Sequence, residues 1–409
     1  MTTADPGFAL PSGFEPLAEH GRVLEVVLTG LEQVEEQLDT ALGFDDLFSD
    51  TAAHHLMAAG GKRVRPVLTV LASLLGDPAL ASGEVADVDA PARQAAVVME
   101  LTHLATLYHD DVMDEAPVRR GAPAAHRLWG NSAAILAGDL IFARASQLMA
   151  ELGPRPVQIQ ADTFERLVQG QLWETRGPAE GADPIEHYYA VLSGKTGSLI
   201  AAAGMLGALL GGADEAAVQV MRAYGEKVGL AFQLADDLID LTGDAERIGK
   251  VPGTDLRERV PTLTTLLLAR AAQGEGPEAE DARRVRALVD GPLDTDEQLA
   301  AAVAALTGHP AIDEAWAITR GWAEQAKQAL APLPDSAVKA ALADRDGDPP
   351  HQRFELGDFQ LENGQVIESG FLTYVTHGTL NEQESNAVLV LPALMATHHR
   401  HDFLIGPGK

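Results

Sequence analysis

The sequence predicts an all-α helical bundle over most of the chain, followed by a short segment that contains β-strands. From about residue 17 to residue 343 the chain is rich in Ala, Leu, Glu, Gln and Arg, which are strong helix formers. Apolar residues recur there at helical spacing, with Gly-, Pro- and Asp-rich breaks between the helical stretches. Alternating β-branched residues are missing from this region of the sequence. Roughly ten or more helices are therefore expected.

Four stretches carry the helical pattern most strongly, and each offers one apolar face for packing. In chain order they are ARQAAVVMELTHLATLYHDD, NSAAILAGDLIFARASQLMAEL, DTFERLVQGQLWET and AAVQVMRAYGEKVGLAFQLADDLIDL. The first and the last end in acidic clusters. We interpret residues 1–16 as an N-terminal tail and residues 17–343 as one helical domain.

The character of the sequence changes near Asp344, where a Pro-rich break is followed by strand-like alternation. The alternating stretches are FQLENG, GFLTYVTHG and NAVLVLPA. A piece of about sixty residues is rarely stable alone. We therefore expect residues 344–409 to be an incomplete β-containing unit or one that leans on the bundle.

Composition excludes several classes of function. Among the 409 residues, 60 acidic side chains face 30 basic ones, and the resulting net charge of −30 opposes nucleic-acid binding and docking on anionic lipid. The chain has no cysteine, which excludes disulfides, thiolate metal sites and a cysteine nucleophile. No unbroken apolar run approaches a membrane span, and the N-terminus lacks a signal pattern, so a cytoplasmic protein without an integral membrane segment is expected.

Two acidic motifs of the form D-D-x-x-D follow apolar helical stretches. They are Asp110, Asp111 and Asp114 in the first motif, and Asp236, Asp237 and Asp240 in the second. On a helix, carboxylates four residues apart lie on one face, and a buried pair of such clusters is unfavourable without cations. Mg²⁺ prefers oxygen ligands and shares its coordination shell with phosphate oxygens. The motifs therefore predict a magnesium site for a di- or triphosphate rather than a general acid/base pair.

Basic residues in two short segments predict a second anion site. The segment AAGGKRVRPVL contains Lys62, Arg63 and Arg65 beside two glycines, and VRRG contains Arg119 and Arg120. Arginine binds phosphate through forked hydrogen bonds, so these segments favour an anionic group that the protein holds directly.

Two common catalytic motifs are excluded. Gly194, Lys195 and Thr196 resemble the end of a phosphate-binding P-loop, but Tyr189 stands where that loop needs glycine, and no strand precedes it. Lys195 is still a candidate phosphate ligand on a helix. No G-x-S-x-G elbow occurs, so the usual serine hydrolase arrangement is also excluded.

In combination, the motifs of residues 17–343 resemble the trans-isoprenyl diphosphate synthases, the polyprenyl synthetase family. The matching motifs are GGKRVRP, HDDVMDEAPVRRG, Gly170–Gln171, KTG, FQLADDLID and GKVPGTDLRE. The resemblance implies an isoprenoid synthase helical bundle around a central cavity, in which isopentenyl diphosphate condenses with an allylic diphosphate. It also implies about three Mg²⁺ ions per active site, a homodimer, and transient membrane contact for release of the product.

The resemblance also assigns roles to individual residues. The two aspartate motifs would face each other across the cavity and hold the magnesium ions. All their aspartates except Asp240, together with Lys195, would be the catalytic groups. The allylic diphosphate would contact Arg119, Lys195, Thr196, Gln233 and Lys250. The isopentenyl diphosphate would contact Lys62, Arg65, His103 and Arg120, and Gln171 would be a further substrate contact.

Small residues below the first motif predict a long product. The growing tail should run along the helix of Asp110 toward its N-terminus, past Thr106 and Ala105 one turn away. Neither side chain is large enough to stop it, a pattern that the family's long-chain members share. Products of roughly six to ten isoprene units, as in quinone side chains, are therefore expected. A deeper floor is predicted at Leu101, Phe142 and Leu148.

Three alternatives remain open at this stage: a synthase of shorter products, a class I terpene cyclase, and a catalytically silent regulatory subunit. One departure from the family pattern bears on activity, because Arg259 follows GTDLRE where glycine is common and the next lysine is absent. The segment from residue 344 onward resembles the first strands of homoserine O-acetyltransferase-like α/β-hydrolases, without the part that would carry a catalytic triad.

Overall fold

The computed structural model describes residue 17, residues 21–77, 88–242 and 252–343, and the backbone of two strands at 352–360 and 366–374. The chain divides into two compact units between residues 343 and 344. The first unit is helical, which confirms the predicted all-α class. Its helices are α1 (Gly21–Ala41), α2 (Leu47–Ala58), α3 (Val64–Ser73), α4 (Ala90–Met113), α5 (Ala125–Trp129), α6 (Asn131–Glu151), α7 (Pro154–Arg176), α8 (Pro184–Leu192), α9 (Ser198–Leu210), α10 (Glu215–Thr242), α11 (Thr254–Arg257), α12 (Leu263–Ala271), α13 (Pro277–Val289), α14 (Asp296–Thr307), α15 (Pro310–Ala329) and α16 (Ala337–Ala343). A short hairpin joins α4 to α5 through β1 (Val118–Arg119) and β2 (Ala122–Pro123).

Helix α4 is the central helix of the bundle. It packs along α6 and also contacts α1, α3 and α9. Because neighbours surround it, nearly every residue from Ala95 to Leu101 is buried, including the charged Glu100. Toward its C-terminal end a half-buried stripe opens along one face, at His103, Thr106, Leu107 and Asp110. That stripe has helical spacing, so the first aspartate motif emerges where the central helix leaves the core.

Helix α10 joins two parts of the apolar core. Its first half packs into a cluster with α1 to α4, α6 and α9, and its second half packs into a cluster with α8 and α12 to α15. In the second half Leu230, Leu234, Leu238 and Leu241 form the buried face. The spacing of three or four residues leaves the second aspartate motif on the remaining faces of the same helix.

Helix α6 is long and apolar enough to cross a membrane by length and composition, and it is the one such helix among the described residues. About a third of its most apolar stretch is buried in the bundle, along α4. Asp139 and Arg144 interrupt its apolar sequence, which is why no unbroken apolar run is visible there. Asp139 contacts His109 of α4 at 3.3 Å, and Arg144 lies over the ring of Phe44.

The second unit contains an antiparallel pair of strands, β3 (Gln352–Gln360) and β4 (Val366–Tyr374), with irregular register near Gly357. The predicted strand-like alternation is therefore confirmed in this unit, although β3 begins before FQLENG and β4 before GFLTYVTHG. The third stretch, NAVLVLPA, lies outside the described residues. The hydrolase resemblance stays a prediction, because this hairpin does not test it.

Candidate active site

The loop before α3 brings the basic segment to the second aspartate motif. Lys62 Nζ lies 3.7 Å from a carboxylate oxygen of Asp236 and over the ring of Phe232, one turn earlier on α10. Both charged side chains are more than half exposed, so this contact is weak and open to solvent. It nevertheless joins two predicted site regions that are far apart in the sequence.

The hairpin after α4 returns an arginine to the first aspartate motif. Arg120 and Gly121 form its turn, both with positive φ, as the common two-residue hairpin requires. The chain reversal lets Arg119 Nε donate to Asp111 at 2.6 Å. Asp111 is fully buried, and its second oxygen lacks a hydrogen-bond partner among the described residues. Asp111 therefore anchors Arg119, while Asp110 and Asp114 remain closer to solvent.

A π-helical turn, Ser193–Gly197, places Lys195 against the first motif. Two glycines permit this, because a methyl group at Gly194 would lie 2.8 Å from the Cα of Gly170 on α7. Lys195 Nζ donates to Glu174, and its charge also acts on Asp110 and Asp114. Burial nonetheless raises the pKa of Asp110 to about 6, and burial likewise raises the pKa of Asp114. These carboxylates lie in a site that favours added positive charge.

Hydrogen bonds continue from this turn to the second motif. Thr196 Oγ1 donates to Gln233 Oε1 at 3.3 Å, and Gln233 Nε2 donates to Asp237 at 3.0 Å. The Tyr188 hydroxyl donates to the other oxygen of Asp237. Burial raises the pKa of Asp237 to about 6, although both hydrogen bonds act in the opposite direction. Both carboxylate oxygens of Asp237 are thus occupied by protein donors.

The last aspartate of the second motif has a local structural contact. The Asp240 carboxylate accepts the backbone N–H of Asp255 at 3.1 Å, and the Asp240 carbonyl accepts the N–H of Gly253 at 2.8 Å. These bonds hold the end of α10 against the start of α11. Lys250 lies outside the described residues.

Predicted contacts for isopentenyl diphosphate gather around the middle of α4. Arg65 and Arg120 lie near His103, and together with burial their charges hold the pKa of His103 well below its usual range. Burial also lowers the pKa of Arg65 to about 10. The imidazole is therefore neutral beside cationic groups. Gln171 on α7 is half-buried, and its amide oxygen has no hydrogen-bond partner among the described residues.

The structure adds three residues that sequence reasoning missed: Glu100, Glu174 and Tyr188. Glu100 had a detectable signal, since it is a lone acidic residue in an apolar helical stretch and lies three positions before His103, on the same face. Glu174 and Tyr188 had none, because their partners are 21 and 49 positions away in the chain.

The departure at Arg259 has a structural explanation. Arg259 has φ +64, a conformation that glycine adopts more readily. Its guanidinium donates to the carbonyls of Val289, at 2.6 Å, and Gly291. It thereby satisfies carbonyls at the C-terminal end of α13.

The chain is similar to known proteins over most of its length. A family model described as polyprenyl synthetase matches residues 48–305. A nonaprenyl diphosphate synthase of Mycobacterium tuberculosis is 47% identical over 319 residues, which cover 78% of this chain and 90% of that protein.

Two crystal structures are also similar. A geranylgeranyl pyrophosphate synthase from Corynebacterium glutamicum, complexed with calcium and isoprenyl diphosphate, has 41% identity and a TM-score of 0.66, and the match covers 78% of this chain and 93% of that one. A decaprenyl diphosphate synthase from Rhodobacter capsulatus has 32% identity and a TM-score of 0.68, and the match covers 80% of this chain and 97% of that one. The chain therefore belongs to the polyprenyl synthetase family, and it is a prenyltransferase.

Proposed function

We propose that this enzyme condenses isopentenyl diphosphate with an allylic diphosphate and releases a long-chain all-trans polyprenyl diphosphate. The observation that carries the proposal is that two separate groups of ionisable side chains lie along α4. Aspartates and Lys195 lie at its C-terminal end, and the cluster of Arg65, Arg120 and His103 lies further back. The similarity to nonaprenyl and decaprenyl diphosphate synthases supports the long product. An acidic chain without cysteine suits a cytoplasmic enzyme.

The acidic residues are suited to bind divalent ions whose coordination shell is completed by a substrate. In the described part of the chain, no three acidic or histidine side chains form a preassembled metal cage. Mg²⁺ commonly takes one or two carboxylates and completes its shell with substrate phosphates and water. We infer that Asp110, Asp114 and Asp236 are the direct ligands. Magnesium bound there would stabilise the negative charge that develops on the leaving diphosphate.

The other three aspartates would then support the ligands. Asp111 orients Arg119, Asp237 is held by Gln233 and Tyr188, and Asp240 fixes the end of α10. This division differs from the prediction that all six carboxylates bind metal. It follows the contacts: Asp111 is fully buried and pairs with Arg119, both oxygens of Asp237 accept hydrogen bonds, and Asp240 accepts a backbone N–H. A carboxylate that is buried or already accepts from protein donors has less capacity for a metal.

The side chains of this enzyme position two diphosphates and exclude water. Arg119, Lys195 and Lys250 are proposed to bind the allylic diphosphate, with Thr196 and Gln233 beside them. When the allylic C–O bond breaks, the electron pair leaves with the diphosphate and an allylic cation remains. The alkene of isopentenyl diphosphate attacks that cation, and a proton is then lost, in our proposal to the departed diphosphate. Preorganised positive charge lowers this barrier because it is complementary to the leaving group.

The basic cluster also separates this proposal from a terpene cyclase. A cyclase ionises one allylic diphosphate and has no use for a second diphosphate site. Here Arg65 and Arg120 lie near the half-buried stripe of α4, apart from the aspartates. The presence of all six aspartates likewise disfavours a silent regulatory subunit.

An elongation assay tests the proposal. The purified protein is incubated with Mg²⁺, labelled isopentenyl diphosphate, and farnesyl or geranylgeranyl diphosphate, and the extracted lipids are sized after phosphatase treatment. We expect long polyprenols. Products of about four isoprene units would favour a short-chain synthase, and cyclic hydrocarbons would favour a cyclase. If folded protein consumes neither substrate, the regulatory subunit is the better description.

We further propose that two copies associate through α6 and α7. Exposed apolar side chains on these helices include Ile135 and Leu136 on α6 and Val168 and Leu172 on α7, and Leu136 and Leu172 are 65% and 61% exposed. The two helices are neighbours, and the rings of Phe142 and Phe164 stack between them with centroids 4.1 Å apart. An exposed apolar surface of this kind is typical of an interface between copies.

Replacing Leu136 and Leu172 together by glutamate is expected to convert the dimer to a monomer, because charge at the centre of an apolar interface is strongly unfavourable. Light scattering coupled to size exclusion measures the mass. Leu288→Glu, on the exposed face of α13, is the matched control and should leave the mass unchanged. A wild-type protein that is already monomeric, or a double variant that stays dimeric, contradicts the proposal.

A further inference from the structure

Glu100 is a buried carboxylate that faces two arginines. Its side chain is nearly inaccessible, at 3% exposure of the residue, and lies in the middle of α4. Arg63 Nη1 donates to Glu100 Oε1 at 3.1 Å, and Arg120 Nη2 lies 4.0 Å from the same oxygen. A charge buried this deeply is tolerated only with such partners.

Arg63 is fully engaged with carboxylates. Its Nε donates to Glu35 of α1, its Nη2 donates to the other oxygen of Glu35 at 3.2 Å, and its Nη1 donates to Glu100. These contacts use all three nitrogens of the side chain. Arg63 therefore serves to fix Glu100 and the loop before α3 rather than to bind substrate.

Both arginines that face Glu100 have left-handed backbone conformations. Arg63 has φ +50 and Arg120 has φ +54, a region that side chains other than glycine rarely adopt. Such conformations cost free energy, and they persist where surrounding contacts determine them. The Arg120 guanidinium is fixed further by donating to the carbonyl oxygens of Leu56, at 3.1 Å, and Gly60.

Arg65 and His103 lie beside this network. Arg65 Nε is buried and has no hydrogen-bond partner among the described residues. His103, one turn from Glu100 on the same face, is held neutral by burial and by the nearby arginines. A buried donor without a partner is unfavourable, and an incoming anion would satisfy it.

Gly61 allows the two guanidiniums to approach each other. A methyl group at this position would lie 2.6 Å from Arg63 Nη1 and 2.8 Å from Arg120 Nη2. A side chain there would displace both groups from Glu100. Unlike Gly60, which has φ +86, Gly61 lacks a positive φ, so alanine meets no backbone strain at Gly61.

We propose that Glu100 is a positioning residue that orients Arg120. Arg63 and Glu35 hold Glu100 in place. Arg120 can then bind the diphosphate of isopentenyl diphosphate together with Arg65 and His103. This inference rests on the proposed function. The physical reason is that guanidiniums gathered in a low-dielectric site repel one another, and a fixed carboxylate at their centre holds them in place before the substrate arrives. Such preorganisation avoids the cost of assembling the site during binding.

The test measures both substrates separately in Glu100→Gln. Glutamine keeps the shape of the side chain but removes the charge that holds Arg120. We expect the Kd of isopentenyl diphosphate, measured by calorimetry without metal, and its KM to rise about 10- to 100-fold. The KM of the allylic diphosphate should stay within about twofold, because Lys195 and the aspartates are not altered.

Two further variants keep the test valid if Glu100→Gln folds poorly. Gly61→Ala removes no charge and should raise the same Kd several-fold by displacing Arg120. The double variant Glu100→Gln/Arg63→Gln removes both partners of the buried pair, so we expect its melting temperature to recover while the weak binding remains. Glu174→Gln is the matched control near Lys195, and it should raise the allylic KM but not the Kd of isopentenyl diphosphate.

The possible outcomes are distinguishable. A folded Glu100→Gln variant that binds isopentenyl diphosphate as tightly as wild type overturns the inference. The inference is also overturned if Glu100→Gln raises the KM values of isopentenyl diphosphate and of the allylic diphosphate equally, and if both return to normal in the more stable double variant. That result would indicate a purely structural role. If wild type binds isopentenyl diphosphate and the Glu100 variant does not, yet neither extends an allylic diphosphate, the positioning role stands and the proposed function fails.

Discussion

Replacing Asp110 or Asp236 by asparagine is expected to lower turnover by about 10²- to 10⁴-fold, because each change would remove the charge of a proposed metal ligand beside the leaving diphosphate. No described group donates a hydrogen bond to the Asp110 carboxylate, and the charged partner of Asp236 is the largely exposed Lys62. Neither aspartate supports the fold through a buried contact. Steady-state kinetics as a function of Mg²⁺ concentration measures the effect, and an increase in the Mg²⁺ requirement is expected as well.

Asp240→Asn is the matched comparison, because Asp240 belongs to the same motif but accepts the N–H of Asp255. An asparagine oxygen can keep that bond, so turnover should fall far less than in Asp236→Asn. Circular dichroism and thermal melts should show all three variants folded. Near-normal turnover in Asp110→Asn or Asp236→Asn would contradict a role of that residue as a metal ligand. If turnover falls as far in Asp240→Asn as in Asp236→Asn, Asp240 contributes to metal binding as much as Asp236 does.

Thr106→Phe is expected to shorten the products by several isoprene units. Thr106 lies on the half-buried stripe of α4, one turn from Asp110, and its hydroxyl donates to the His103 carbonyl at 2.8 Å. A phenyl ring there would enter the space along which the growing tail is proposed to run. The ring leaves the diphosphate contacts intact, so the first condensation should continue while later ones stop. Chromatographic sizing of the extracted lipids measures the change.

Thr106→Val, which keeps the volume, should retain the long products. Ala105→Phe should behave differently, since Ala105 is 1% exposed and its backbone lies close to α6, where a methyl group at Gly138 would lie 3.1 Å from the Ala105 carbonyl oxygen. A phenyl ring at that position overpacks the core and should lower the melting temperature. Unchanged product length in Thr106→Phe would place the tail along another path.

The helical class could be predicted from the sequence because it depends on local periodicity. Apolar spacing in the stretches that became α4, α6, α7 and α10 determines which faces can be buried. The acidic motifs and the basic loop were visible for the same reason, as unusual local composition. The hairpin around Arg120 and Gly121 was less visible, and its two positive φ angles were found only in the structure.

Local sequence patterns could not predict which of the site residues are buried and which contacts each one makes. Within one motif, Asp110 and Asp111 are equivalent in sequence, yet only Asp111 is buried against Arg119. Ala105 and Thr106 are both small, and the packing of α4 against its neighbours leaves Thr106 half-buried while Ala105 is buried. In each case the burial of the residue depends on a contact with an element that is distant in the chain, or on which face of the helix packs against its neighbours.

The sequence by itself determined that this protein is a helical bundle with two acidic motifs, a basic cluster and the features of a polyprenyl synthetase, because periodicity and composition are properties of short segments. Only the tertiary structure decided which charges are buried and with which partners, as in Glu100 between Arg63 and Arg120. The reason is physical: the free energy of a charge depends on its burial and its neighbours in space. Those neighbours are set by the packing of helices that lie far apart in the chain.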